Sequence, residues 1–506
     1  MAKMSDMLLL GLDIGTSGCK AIAFDENWSM AAHSHREYDL INAGNNRFDL
    51  EAETVWEKCA EAIIEINRSI GRSKIGAIAI SALGDVIIPL DDACRTVRPC
   101  VIDFDPRGKN EIALFVNDFG TDRLYEITGM PPLHINSLAK ILWIKKNEPG
   151  IYKKVRRWAT FEDYILQKMG VKPAVSYSLA ARTMLFDIRN KSWSKDIINA
   201  IGVNENQLAQ PVGSGSVLEK INDKIAGKLG FSGDVIACSG GHDMFCATVG
   251  AGLDINDPTT ALNIVGTMEA IVVLMKEPKL NKEMLENLYP CFPGFNDYVS
   301  LSLNLTSGSI LKWYRDLFSD IVLNQAAKNK NVYDMLLQGI DPTRPGDLLL
   351  IPHFSGTCNP VFNPDSKGTL YGLSLNTGVN DLIQGMIEGL CYELKMHIQG
   401  FQNAGVPINR LRIVGGGSRS DKWLQLKANI TGVEIINSTL YEASAMGAAA
   451  LSGSAVGIFD DPYKVIEYTK GKENRFYPSS KAEKKFDEKF IKYQRLNKAV
   501  NSYETN

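Results

Sequence analysis

The sequence lacks any cysteine framework. Its nine cysteines are scattered over 506 residues, are odd in number and form no C-x-x-C pair, which excludes a disulfide scaffold and a zinc ribbon and suits a reducing compartment. Long apolar runs are also missing. The stretch Met7 to Leu12 is ended by Asp13 and is too short for a membrane span or a signal core, so a soluble, cytoplasmic protein with no membrane partner is expected. Neither charge sign dominates: 55 Lys and Arg face 58 Asp and Glu, for a net charge of -3. That argues against a nucleic-acid partner, which a basic excess would favour, and leaves room for a small anionic ligand bound locally. There is no low-complexity tract and no long linker. What is present is ordinary globular composition, 45% hydrophobic and 22% charged, enough for a large core in two or three domains.

The apolar pattern reads as α/β. Met7–Leu12 and Ile75–Ile80 are short apolar runs of the kind that form buried strands, and Cys19–Phe24 is a further strand. Val55, Cys59, Ala62, Ile63 and Ile66 recur at helical spacing. A long helical region is expected from about Leu138 to Leu166, broken near Pro149-Gly150, before a strand at Val235–Cys238. The second half restarts the pattern. Ala261–Val265 is a strand entering Gly266-Thr267, Tyr298–Leu303 and Leu348–Ile351 are strands, and Leu411–Val414 runs into Gly415-Gly-Gly417. Glu442–Leu451 is an Ala-rich helix, and Phe486, Phe490 and Tyr493 mark a last amphipathic helix. Gly15-Thr16 and Gly266-Thr267 each follow a strand; an internal duplication with a boundary near Leu253–Pro258 accounts for this, as does chance.

Four segments can carry chemistry. Asp13-Ile-Gly-Thr-Ser-Gly18, with Lys20 beyond it, is either a tight hairpin or a loop whose backbone and hydroxyls bind phosphate, with Asp13 holding magnesium through water. It is neither a Walker A motif nor a G-x-G-x-x-G fingerprint. Ser239-Gly-Gly-His-Asp243 sets Asp243 at a strand-to-helix turn, as an N-cap or as a general base for a substrate hydroxyl. Val414-Gly-Gly-Gly417 is a bare connector or a bed for a nucleoside, and Asp103-Phe-Asp-Pro-Arg107 is a surface ion-pair turn or a reader of hydroxyls.

In this order the motifs resemble the FGGY family of carbohydrate kinases, from about Leu8 to Gly457. The similarity is strongest in Gly368-Thr-Leu-Tyr-Gly-Leu373 followed by Asp381–Glu388, where Gly385 replaces the usual Ala or Ser, and it extends to Gly129-Met-Pro-Pro and Lys140-Ile-Leu-Trp143. The resemblance implies two actin-like, ribonuclease H-like domains, as in hexokinase and the heat-shock ATPases, here residues 1–255 and 256–506, with a cleft between them. It implies an enzyme that uses ATP and Mg2+ to phosphorylate a small carbohydrate, and family habit adds a homodimer. Residue by residue, Asp13, Gly15, Thr16, Ser17 and Lys20 match the first phosphate loop, and Gly266 and Thr267 the second. Gly308 and Lys312 lie near the nucleotide, while Gly416, Gly417 and Asp421 match the adenosine site. Asp243 matches the catalytic base, and Asp85, Asp105 and Arg107 match acceptor contacts.

The acceptor region departs from the family. Leu83-Gly-Asp-Val86 stands where xylulose kinases carry Gln-Met-His-Gly, with Asp85 where glycerol kinases place an acidic contact. Asp103 replaces a usual Trp, and Ser355-Gly-Thr-Cys-Asn-Pro360 replaces Ser-Gly-Glu-Arg-Thr-Pro. A pentulose-like ketose is the expected acceptor. A polyol such as glycerol or erythritol, a sugar acid, or a non-catalytic binding paralogue are the alternatives.

Overall fold

Strands that are apolar on both faces need cover on both sides, and here two such sheets organise the chain. The computed structural model describes residues 7–71, 74–317, 332–437, 442–469 and 473–503. The first sheet comprises β1 (Met7–Ile14), β2 (Gly18–Phe24), β3 (Met30–Glu37), β4 (Lys74–Ala82), β5 (Val217–Lys220) and β6 (Ile236–His242), in the order β5-β6-β4-β1-β2-β3. The second comprises β7 (Thr260–Val265), β8 (Glu269–Met275), β9 (Phe292–Pro293), β10 (Tyr298–Asn304), β11 (Arg410–Gly415), β12 (Glu434–Asn437) and β13 (Asn474–Phe476), in the order β9-β10-β8-β7-β11-β12-β13.

The two sheets share a plan. In each, antiparallel strands, β3 and β2 in the first and β9, β10 and β8 in the second, lead to a central strand, β1 or β7, which then pairs in parallel with a later one, β4 or β11. A second parallel strand follows, β6 or β12. The duplication suggested by the paired Gly-Thr turns is therefore visible as a repeated topology. Parallel strands deliver their C-terminal ends to one edge, where ligands of open α/β sheets bind. Register makes this concrete. Asp13 pairs with Ser81 and Ile14 with Ala82, and Ala82 in turn lies opposite His242. In the second sheet Val265 pairs with Gly415. Each edge thus gathers the turns that follow β1, β4 and β6, or β7 and β11.

The expected division near residue 255 falls between the sheets, yet the second half of the chain crosses back over it. The Ala/Gly-rich helix Ala443–Ala455 lies on the first sheet and against the helix Asp243–Gly250. Backbones meet there: a Cβ on Gly447 would sit 1.8 Å from the Cys246 carbonyl oxygen, and one on Gly250 2.0 Å from that of Ala443. No side chain fits, so the small residues of this helix are a packing requirement.

The region expected to be helical from Leu138 to Leu166 is more varied. Helices Ser137–Asn147 and Phe161–Lys168 flank a short strand, Arg157–Ala159, which pairs with Ile88–Leu90. The Arg157–Ala159 segment is too short for any periodicity to reveal. The last helix, Ser480–Tyr503, buries Phe486, Phe490 and Tyr493 as its spacing predicts, with Tyr493 5.1 Å from the Tyr392 ring of the helix Val379–Asn403. Among the described residues no helix is long and apolar enough to cross a membrane.

Candidate active site

The turn after β1 is both a tight hairpin and an open cradle. Gly15 N–H donates to the Gly18 carbonyl at 2.9 Å, and the Tyr38 hydroxyl donates to the carbonyls of Gly15 (2.6 Å) and Gly18 (3.0 Å) from beneath. Braced this way, the turn leaves Ser17 exposed and Thr16 half-buried. Asp13 accepts a hydrogen bond from the Ser81 hydroxyl at 2.7 Å. Burial pushes its carboxyl up, with Ser81 and Lys20 pulling it back. Lys20, paired with Asp13 across the hairpin, reaches Glu442 at 2.7 Å, just before the helix Ala443–Ala455. Glu442 carried no motif signal; only the fold brings it to this loop.

Asp243 sits at the end of β6. The strand is pinned at its irregular register by Glu162, which accepts the N–H groups of Gly240 (2.8 Å) and Ser176 (2.7 Å). The Ser178 hydroxyl accepts the His242 N–H at 3.0 Å. The N-cap expectation shifts by one residue: His242 occupies the cap position and Asp243 is the first residue of the helix. One Asp243 oxygen accepts the Met244 N–H at 2.6 Å, and His242 Nε2 lies 3.4 Å from the same oxygen. Burial, reinforced by the charge of Asp13, lifts the Asp243 carboxyl to about 7. A carboxylate so tuned accepts a proton near neutrality.

Beyond β4 the chain holds Asp85 in the left-handed region, φ 66°, a conformation that non-glycine residues keep only where their surroundings enforce it. Here the enforcement is polar. Asn136 Nδ2 donates to one Asp85 oxygen at 2.8 Å, and Arg182 forms a buried ion pair with the other. Burial still raises the Asp85 carboxyl against the pull of Arg182.

The loop Asp103–Arg107 is not a surface turn. Asp105 and Arg107 are buried and bound to each other, and Arg107 also reaches Asp49 at 2.7 Å. Asp105 further accepts the N–H groups of Phe48 (2.6 Å) and Arg107 (2.8 Å). Their polar groups are thus spent on holding the loop, while Asp103 remains beside Asp85, whose charge adds to burial in raising the Asp103 carboxyl. Cys358 lies within electrostatic reach of Arg182, Asp85 and Asp103, and Phe362 packs edge-on against His134 with centroids 5.2 Å apart. A segment of the second half therefore lies against these residues. Asn136 and Arg182 escaped the sequence reading because their partner Asp85 lies far away in the chain, and His242 was read only as part of the motif that ends in Asp243.

The edge of the second sheet is different in kind. Gly266 and Thr267 are exposed, and the Gly308 N–H donates to the Gly266 carbonyl at 2.9 Å. Gly266 and Gly308, with Gly416 and Gly417, border a cavity of about 320 Å³ lined also by apolar Leu311, Tyr333, Leu337 and Trp423 and by polar Asp334, Arg419 and Ser420; Thr267 lies outside its wall. A Cβ on Gly417 would lie 2.3 Å from Val265 Cγ1, whereas one on Gly416 would meet nothing within 4 Å. A side chain at Gly416 would therefore point into open space. Lys312 and Asp421 are exposed and are not part of the cavity wall.

Asp13, Asp243 and Glu442 supply only carboxylate oxygens near the first loop, a donor type suited to magnesium. Among the described residues no group of three or more His, Cys, Asp or Glu forms an all-protein metal site. The fit is to an ion held largely by phosphate and water, which magnesium prefers.

Comparison with known proteins follows this geometry. Residues 8–250 match the N-terminal domain of the FGGY family of carbohydrate kinases, and residues 261–456 match its C-terminal domain. The chain is 27% identical to a xylulose kinase of Bacillus subtilis, over 98% of this chain and 99% of that one. It is 24% identical to a gluconokinase of Bacillus subtilis, over 89% and 88%. In structure it resembles ligand-bound xylulose kinase from Lactobacillus acidophilus, with a TM-score of 0.88 at 21% identity over 98% of both chains.

Proposed function

From the premise that the chain belongs to the FGGY family of carbohydrate kinases, phosphotransferases with ATP as co-substrate and an alcohol as acceptor, we propose that its acceptor is a small ketose of the pentulose type and that Asp243 is the general base. Residues 1–255 then form the acceptor domain and 256–506 the nucleotide domain. The observation that carries this reading is the Asp243 carboxyl, held at a helix start and tuned to about 7 where the loops after β1 and β4 converge.

In the reaction, the γ-phosphate lies between the Gly15–Ser17 turn and the Gly266-Thr267 turn. Backbone N–H groups and the Thr16, Ser17 and Thr267 hydroxyls bind its oxygens, and Lys20 offsets their charge. Asp243 orients the acceptor hydroxyl in line with the phosphorus and takes its proton as the O–P bond forms, while ADP leaves with the electrons of the broken bond. Asp13 would hold a magnesium ion through water, and such an ion would supply charge neutralisation on the phosphates. The nucleoside rests on Gly416 and Gly417 against Trp423. Asp85 and its partners position the acceptor, and the segment around Cys358 and Phe362 keeps water from competing as nucleophile.

The test is coupled ADP release with magnesium and ATP over ketoses, polyols and sugar acids of three to six carbons. One pentulose with a far higher kcat/KM than the rest is the expected result. A glycerol- or erythritol-type preference overturns the acceptor assignment.

A further inference from the structure

Most polar groups around the acceptor pocket are committed to each other, and the few that are not have a distinct pattern. Lys140 is buried, and its ammonium donates to the carbonyls of Asp105 (2.7 Å), Arg107 (3.2 Å) and Asp103 (3.5 Å). An ammonium has three donors, so Lys140 anchors the loop and keeps none for a ligand. Arg107 is spent on Asp49 and Asp105. Both oxygens of Asp85 are taken, by Asn136 and Arg182. Three buried atoms in the same neighbourhood have no hydrogen-bond partner: Asp103 Oδ1, Arg182 Nε and His242 Nδ1. Arg182 and His242 are each 5% exposed, so bulk water does not satisfy them.

These orphans are one acceptor, one donor and one imidazole nitrogen. Burial and the Arg182 charge hold His242 well below its ordinary range, so the ring is neutral. Unmet buried polar groups of this kind are costly unless something fills the site. A hydroxyl both donates and accepts, and adjacent hydroxyls of one acceptor satisfy Asp103 and Arg182 together. A carboxylate only accepts. It would face Asp103 with no donor to offer, beside Asp85 and Asp243, and the guanidinium within reach is already neutralised by Asp85.

We infer that Asp103 is a specificity-determining residue that receives a hydroxyl of the acceptor and, with the Asp85–Arg182 pair, restricts the enzyme to neutral ketoses and alditols, rejecting the corresponding aldonates. This rests on the sugar-kinase reading above and adds to it the charge class of the substrate. The rejection works by like-charge repulsion in a desolvated site, which commonly exceeds a hundredfold.

The experiment uses the full chain and sets matched in carbon number, neutral members against the one that carries a carboxylate: xylulose and xylitol against xylonate, and fructose and glucitol against gluconate. ADP release is measured with wild type, Asp103→Asn and Asp103→Ser, each first checked by thermal melting and ATP binding. The expected wild-type result is a neutral acceptor preferred over its aldonate by at least about a hundredfold in kcat/KM. In Asp103→Asn that ratio falls at least about tenfold, through the acceptor KM, with the ATP KM within about twofold of wild type. Asp103→Ser provides the same readout should the Asn variant fail to fold. A wild type that prefers an aldonate, or folded variants with an unchanged ratio, overturns the inference and leaves the kinase reading standing. ATP binding without turnover of any member of either set overturns both.

Discussion

The two faces of the proposed site are built by different means. The proposed nucleotide face is largely backbone and apolar: Gly266, Gly308, Gly416 and Gly417 line a cavity together with Leu311, Tyr333, Leu337 and Trp423, with Asp334, Arg419 and Ser420 completing the wall. The proposed acceptor face is made of polar side chains, buried or half-buried: Asp85, Asp103, Asn136, Arg182, His242 and Asp243, brought together over chain separations such as 97 residues for Arg182 with Asp85. Backbone recognition leaves a local signature, because a close approach requires glycine at fixed positions next to a strand. Side-chain recognition leaves almost none, because its geometry is assembled from distant segments. The first face therefore suits a ligand shared by a whole family, and the second can change acceptor without touching the first.

The largest effect is expected at the junction of the two faces. Asp243→Asn should reduce turnover at least about a hundredfold, on the usual scale of general-base catalysis, while both substrates still bind in calorimetry. Because the folded carboxyl is raised to about 7, the wild-type kcat/KM should fall about tenfold per pH unit below that value. The stability consequence has the opposite sense. A raised folded pKa favours the neutral form, so its contribution is full below the unfolded value near 4 and is lost as pH rises through about 7. The Asn variant should therefore melt above wild type at pH 8 and alongside it at pH 4. Near-normal turnover would remove Asp243 from its role.

Next comes the acceptor face alone. Asp85→Ala strands the buried Arg182 guanidinium, which is 6% exposed. Breaking such a pair costs about 3 kcal/mol or more, visible in a denaturant melt. The acceptor KM should rise more than about thirtyfold, with the ATP KM little changed. Equal effects on both would mean the two faces are not independent and would break the comparison.

On the nucleotide face, adjacent glycines should behave differently. Gly416→Val places its side chain in open space, so the protein should melt as wild type while its ATP KM rises about tenfold by obstruction of the cavity. Gly417→Val drives a Cβ to 2.3 Å from Val265 Cγ1 and should lower the melting temperature as well. Identical behaviour in the pair would mean that the nucleoside does not lie on Gly416.

How much of this was legible follows the same divide. The strand-turn pattern fixed both Gly-Thr turns, the Gly415–Gly417 connector and Asp243, because each depends on residues within about ten positions. Asp105 and Arg107 drew attention as acid and base in one loop, but the nearby Asp49 and Lys140, invisible in the local sequence, complete a network that turns them inward. Asp103 stood out as one acid of the Asp103–Arg107 loop and as an odd substitution, with no sign of which acid of that loop is left uncommitted. Its significance appears once Lys140 is seen to be spent on carbonyls. The Ala443–Ala455 helix was legible as a helix, while its seat on the first sheet was not, since a small-residue face is equally suited to any close neighbour.

The smallest expected effect tests where the faces touch. Lys20 is paired with Glu442 at 2.7 Å, with side chains 39% and 32% exposed, so the bond itself contributes under about 1 kcal/mol. Yet it occupies the ammonium that the proposed mechanism gives to the phosphates. On that reading ATP withdraws Lys20 from Glu442, beside Asp13, whose carboxyl the Glu442 charge helps to raise. Glu442→Gln should leave the melting temperature nearly unchanged and tighten ATP binding by about threefold at low salt, measured by calorimetry, with the acceptor KM unaffected. Weaker ATP binding in this variant would instead make Glu442 part of the ion-binding set on the phosphate side, and the Lys20 contact a consequence of that role.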